Sequence, residues 1–140
     1  MDMTKKMIQS HPLGAAFSAD ELENCITECF SCAQACTACA DACLNEQEVS
    51  DLKRCIRLNL DCADICLATG RIMSRLGHIS EQILREQLKT CMTACDFCGS
   101  ECNSHQQHEH CKVCAEACYN CKDVCDSMLS GMMVQDRSKF

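Results

Sequence analysis

The sequence has no tryptophan, one tyrosine, four phenylalanines, one proline and five glycines among its 140 residues. So few aromatic and turn-forming residues exclude a sheet-rich or collagen-like architecture, while plentiful Ala, Leu, Glu, Gln and Lys suit an all-α chain. Positive charge is also scarce: 13 Lys and Arg stand against 20 Asp and Glu, a net charge of −7. That balance leaves no footprint for nucleic acid or an anionic membrane surface, and neither is expected as a partner. No apolar run reaches the roughly 18 residues a spanning helix requires. The N-terminus carries the pair Lys5 and Lys6, but Gln9, Ser10, His11 and Pro12 deny it an adjoining apolar run, so no signal peptide is expected. On these absences the chain is expected in the cytoplasm, where thiols are normally kept reduced.

What the chain has in excess is cysteine, 18 residues. One domain of this length builds a core without disulfides. The apolar fraction of 47% counts the cysteines, so the core must be partly made of thiols.

Organisation is set by caps and breaks. Residues 1–17 hold the one proline and read as a short helix or arm packed on the main body. Ser18 with Glu21 three residues on forms a capping-box pattern, and the chain then runs free of Gly and Pro to Asn45. A polar break precedes a second helix over 51–76, with Gly70 inside it and Gly77 and His78 as its C-cap. Ser80 caps a third helix reaching Asn103. A His-rich turn over 104–109 leads to a fourth helix over 110–130, with Gly131 as its stop and 132–140 as a tail. Short connections favour antiparallel neighbours, so residues 18–131 are expected to form an up-down-up-down four-helix bundle.

The cysteines fall in register. Helix one carries Cys25, Cys29, Cys32, Cys36, Cys39 and Cys43, and helix two carries Cys55, Cys62 and Cys66. Helix three carries Cys91, Cys95, Cys98 and Cys102, and helix four carries Cys111, Cys114, Cys118, Cys121 and Cys125. Intervals of three and four are those of a and d positions, which face one surface along a helix. Leu22, Leu84, Leu88, Met128 and Met132 continue the seams, so cysteine stands where leucine would.

A reduced cysteine packs as a small hydrophobe, but selection for packing alone would use Leu, Ile and Ala, which do not oxidise. The helical spacing also argues against nine disulfides. Zinc asks for closed tetrahedra of four ligands and would leave the seam overfilled. An iron-sulfur motif is poorly matched, because Cys29, Cys32 and Cys36 give C-x2-C-x3-C with no proline after it. Cu(I) is soft and thiophilic, and cysteines three or four apart on one helix, with Cβ atoms about 5–6 Å apart, hold one ion between them. A similar number of monovalent ions neutralises the thiolates, each displacing a proton. Because protonated thiols pack, the metal-free protein is expected to be folded.

In that order of helices Cys43, Cys55, Cys102 and Cys111 meet at one end, under His105, His108 and His110. The other end is an apolar plug of Leu22, Ile72, Met73, Leu76, Ile83, Leu84, Leu88, Met128 and Leu129. Imidazole ligates Cu(I), so the three histidines read as the metal entrance. His11 and His78 lie apart and read as surface residues. Ile26, Phe30, Ile56, Leu60, Ile65 and Leu67 lie off the seam, consistent with a homo-oligomer or with the arm covering them. Asp61, Asp64 and Asp96 read as solvated charges, and no catalytic carboxylate pair, Ser/His/Asp set or phosphate loop points to an enzyme.

These features together resemble the bacterial copper storage proteins. The resemblance covers about residues 20–130 and rests on four features: the run from Cys25 to Cys43, the stretch from Cys55 through Cys62-Ala63-Asp64-Ile65-Cys66, the seam from Cys91 to Cys102, and the His-rich turn before Cys111-Lys112-Val113-Cys114. It implies a bundle whose core thiolates bind many Cu(I) ions, with His residues near the open end, assembled as a homotetramer. Secreted members carry an export signal and a Met-rich mouth; this chain resembles the cytosolic branch. Met1, Met3 and Met7 in the arm are left without a place relative to the mouth.

Overall fold

The computed structural model describes residues 3–14 and 17–138, with the side chains of Leu76 and residues 133–138 outside the description. Among the described residues five helices lie in the order α1 (Thr4–Gln9), α2 (Ala19–Leu44), α3 (Lys53–Met73), α4 (Glu81–Asn103) and α5 (Glu109–Ser138). Short 3-10 turns at Val49–Leu52 and Leu76–His78 precede α3 and α4. α2 packs on α3, α3 on α4, α4 on α5 and α5 back on α2, the antiparallel four-helix bundle that the spacing predicts.

The caps explain where these helices start. Ser18 Oγ accepts the Glu21 N–H at 3.5 Å and Ser80 Oγ accepts the Ile83 N–H at 3.3 Å, each satisfying one orphan donor of a first turn. Asp20, Glu21 and Glu81 add negative charge at the same helix ends.

Two glycines act differently from expectation. α3 ends at Met73, where Ser74 Oγ donates back to the Gly70 carbonyl at 2.8 Å. Gly77 therefore does not cap it, and its φ is not positive; among the described residues only Gly14 is. A Cβ on Gly77 would stand 3.3 Å from the His11 ring, so this glycine admits the N-terminal segment instead. Nor does Gly131 stop α5, which continues to Ser138. The seam explains this: Met128 and Met132 are both buried, and their burial carries the helix through a residue that costs about 1 kcal/mol relative to Ala. The helix thus runs well into the segment expected as a tail, while residues 139–140 lie outside the description.

All 18 cysteines are buried. The closed end is filled by Leu22, Met73, Leu84, Leu88, Met128, Leu129 and Met132, with Ile72 half-buried. Ile83 does not join them; it is 60% exposed, because it sits one residue, about 100°, before the inward position Leu84. The Leu76 side chain lies outside the description.

α1 lies against α2 at this closed end, tied by Lys5 Nζ to Asp20 Oδ1 at 3.7 Å. Between the N-terminal segment and the bundle is an open cavity of about 470 Å³ lined in part by Met3, Met7, Ile26, Phe30 and Met73. Met3 and Met7 are thus placed at the end opposite the histidines, while Met1 is outside the described residues. Ile26 is buried, and His11 is half-buried against Gly77 rather than a free surface residue; His78 is exposed.

Candidate metal centre

The heptad register brings sulfurs together within helices and between them. On one helix, Cys32 and Cys36 stand 3.8 Å apart, Cys62 and Cys66 3.8 Å, and Cys39 and Cys43 4.0 Å. Across helices, Cys43 meets Cys111 at 3.9 Å, Cys55 meets Cys102 at 3.6 Å, Cys36 meets Cys118 at 3.7 Å and Cys66 meets Cys95 at 3.7 Å. These separations are nearly double the S–S bond of a disulfide, about 2.05 Å, and all 18 thiols are free.

Sets of four sulfurs lying within 4.8 Å of one another recur along the axis: Cys39 with Cys43, Cys55 and Cys111; Cys36 with Cys98, Cys114 and Cys118; Cys32 with Cys62, Cys66 and Cys95; and Cys29 with Cys91, Cys121 and Cys125. A further set, Cys32, Cys36, Cys62 and Cys118, shares members with two of these. The first four sets share no sulfur, but filled as closed zinc tetrahedra each would carry a net charge of −2 and Cys25 and Cys102 would be left out. Thiolates that each bridge more than one soft monovalent ion use every sulfur and reach neutrality.

The only buried polar residues among those described are Asn59 and Thr69, so no Lys or Arg shares the tube with the thiols. Unmetallated thiolates there would be uncompensated charges. In the metal-free state the thiols hydrogen-bond to one another, which separates their acidities. Hydrogen bonds from Cys125 ease the ionisation of Cys25 and those from Cys102 ease that of Cys55, whereas Cys29 is pushed up by Cys121 and Cys36 by Cys114. At the open end burial dominates, pushing Cys43 up to about 11 and raising Cys111 as well.

The three loop histidines do not act alike. His110 turns inward: its Nδ1 is 3.4 Å from Cys39 Sγ, 3.6 Å from Cys111 Sγ and 4.0 Å from Cys43 Sγ. Its Nε2 is 3.0 Å from Glu46 Oε2. His108 instead faces carboxylates, with Nδ1 at 2.5 Å from Glu46 Oε2 and Nε2 at 3.6 Å from Glu48 Oε1. His105 Nε2 lies 2.7 Å from Glu101 Oε2, whose other oxygen meets Arg54 at 3.1 Å.

Sequence reasoning missed Asn59. Fully buried, its Oδ1 accepts from the thiols of Cys98 at 3.0 Å, Cys102 at 3.3 Å and Cys114 at 3.4 Å, and its Nδ2 donates to Cys55 Sγ at 3.7 Å. The signal was present in the sequence: Cys55 and Cys62 are seven apart, and Asn59 occupies the seam position between them. Asp61, Asp64 and Asp96 are exposed as expected, Asp96 pairing with Lys122 at 2.9 Å.

Known proteins share this fold. A structure of the copper storage protein Ccsp from Streptomyces lividans, loaded with 10 copper equivalents, superposes with a TM-score of 0.89 at 45% identity, covering 91% of this chain and 98% of that one. A second, of copper loading to the cytosolic copper storage protein of the same organism with five coppers, gives a TM-score of 0.78 at 50% identity over 79% of this chain and 93% of that one. The uncharacterized cysteine-rich protein YhjQ of Bacillus subtilis is 39% identical over 106 residues, 76% of this chain and 94% of its own length. The family model for copper storage proteins matches residues 18–130, almost the whole four-helix bundle, and the chain belongs to that family.

Proposed function

We propose that this chain stores Cu(I) along its axis, with the 18 cysteines as ligands and His110 as a nitrogen donor at the open end. The observation that carries the reading is the run of four-sulfur sets in a core with no buried cation among the described residues. Neutrality is then reached near one Cu(I) per thiolate, each ion releasing a proton as it binds. Asn59 joins the ligand set: once Cys98, Cys102 and Cys114 ionise, its Oδ1 loses three donors and is left facing the metal. His105 and His108, held by carboxylates, form the rim. The reading assigns no turnover.

The protein works in the cytoplasm, as one Streptomyces relative is described to do. Among the described residues no helix is long and apolar enough to cross a membrane. Homotetramer formation uses exposed apolar residues of the bundle surface, among them Leu60, Leu67, Phe97 and Val113.

Anaerobic titration of reduced, metal-free protein with Cu(I) against a competing chelator tests the storage reading. Retention near one equivalent per cysteine supports it. Saturation at a few equivalents overturns it in favour of discrete sites, and a brown protein with labile sulfide overturns it in favour of an iron-sulfur carrier.

A further inference from the structure

One carboxylate meets two of the loop histidines, His108 and His110. Glu46 lies in the connection between α2 and α3, and its Oε2 meets His110 Nε2 at 3.0 Å and His108 Nδ1 at 2.5 Å. The two rings stack, with centroids 5.4 Å apart and planes inclined by 19°. A single oxygen thus joins the α2–α3 connection to the start of α5 across the open end.

This contact decides which face His110 shows the thiols. An ionised carboxylate only accepts hydrogen bonds, so the nitrogen opposite it must carry the hydrogen. In a neutral imidazole that leaves the other nitrogen with a free lone pair, and here the other nitrogen is Nδ1, within 3.4–4.0 Å of Cys39, Cys111 and Cys43. The hydrogen-bonded partner of a ligating histidine fixes both tautomer and ring orientation. In the other tautomer the ring would offer the thiols an N–H, which cannot ligate. His108 gives its own Nδ1 to the same oxygen, and its Nε2 lies 3.6 Å from Glu48 Oε1.

From this geometry we infer that Glu46 is the positioning residue of copper entry: it holds His110 as the Nε2–H tautomer with Nδ1 aimed at Cys39, Cys43 and Cys111, so that an arriving Cu(I) meets a preformed nitrogen and sulfur acceptor. The imidazole keeps its Nε2 proton throughout, and only thiols release protons as the ion passes inward. This rests on the storage reading for its consequence, but the tautomer belongs to the metal-free protein and is measured without copper.

The test begins with long-range proton–nitrogen correlation spectra of the reduced apoprotein at mildly alkaline pH. Expected is a single His110 tautomer with the hydrogen on Nε2; a hydrogen on Nδ1 overturns the inference, whatever the copper capacity proves to be. Stopped-flow transfer of Cu(I) from a chromophoric chelate then compares variants of unchanged helical content. Glu46→Leu should blur the tautomer signature and slow the first loading phase by about tenfold, the low end of what loss of such a partner costs. Glu46→Gln, whose amide oxygen still accepts, should restore most of that rate. In a His110→Ala background Glu46→Leu should add no further slowing. Loading by Glu46→Leu at the wild-type rate, or equal slowing with His110 absent, overturns the inference. A wild-type protein that shows the expected tautomer yet retains few copper ions leaves the clamp standing and removes the storage reading instead.

Discussion

The two ends of the bundle are built on one helical register and filled with opposite chemistry. At the open end the inward positions are Cys39, Cys43, Cys55, Cys102 and Cys111, roofed by His110 and Glu46. At the closed end they are Leu22, Met73, Leu84, Leu88, Met128 and Met132, with α1 laid alongside. The lesson is a division of labour along a single seam. Branched apolar and thioether side chains secure folding at one end, which frees the rest of the core to use thiols, small hydrophobes while protonated and ligands once ionised.

The comparison breaks most visibly in the kinetics of loading. Replacing Cys39, Cys43 and Cys111 together by Ser should slow the first phase of Cu(I) uptake by more than about 100-fold, beyond what loss of an outer-shell partner costs. Leu84→Ala, at the other end, should leave that phase unchanged in stopped-flow traces. Its effect belongs to folding: Leu84 is fully buried, and truncation should cost about 3 kcal/mol in a denaturant titration of the apoprotein. Entry through the closed end would show instead as faster uptake by the Leu84 variant.

Between the ends lies Asn59, where the two chemistries meet in one side chain. Asn59→Ala leaves three thiol donors without an acceptor and should lower apoprotein stability by about 1–2 kcal/mol, the smaller end of the range because S–H is a weak donor. Chemical denaturation of reduced protein measures it.

The open end should also respond to pH more than the plug, which has nothing to titrate. Burial raises the Cys43 thiol from 9.0 to about 11. The fold favours the neutral form, so this contribution to apoprotein stability is complete below pH 9.0 and is lost as pH climbs through about 11. Copper affinity moves the other way, rising with pH because the ion must displace the proton. Thermal melts of the apoprotein and chelator competition across the same pH series should therefore show opposite slopes.

How much of this was legible in the sequence depended on period and on packing. The thiol seams were legible because spacings of three and four leave no other face for 18 cysteines. The Ser18 and Ser80 starts were legible because a cap is local chemistry. Gly77 was not, since its role is to accept the His11 ring from a distant segment. Nor were the separate orientations of His105, His108 and His110, which depend on Glu101, Glu46 and Glu48 coming near in space. Asn59 stood in register and was passed over only because it is not a cysteine.

The smallest effect sharpens the same contrast at the closed end, where glycine is needed at one position and tolerated at another. Gly131 lies within α5, its φ is negative, and a Cβ there meets nothing within 4 Å. Gly131→Ala removes conformational freedom from the unfolded chain and asks no folded neighbour to move, so it should stabilise the apoprotein by up to about 1 kcal/mol. At Gly70 the same change would place a Cβ 2.7 Å from the Phe30 ring, so the ring must shift and the sign should reverse. A pair of melting curves decides the matter. If Gly131→Ala fails to raise the midpoint, the helix does not continue through that position in solution, and Met132 is not held by the seam.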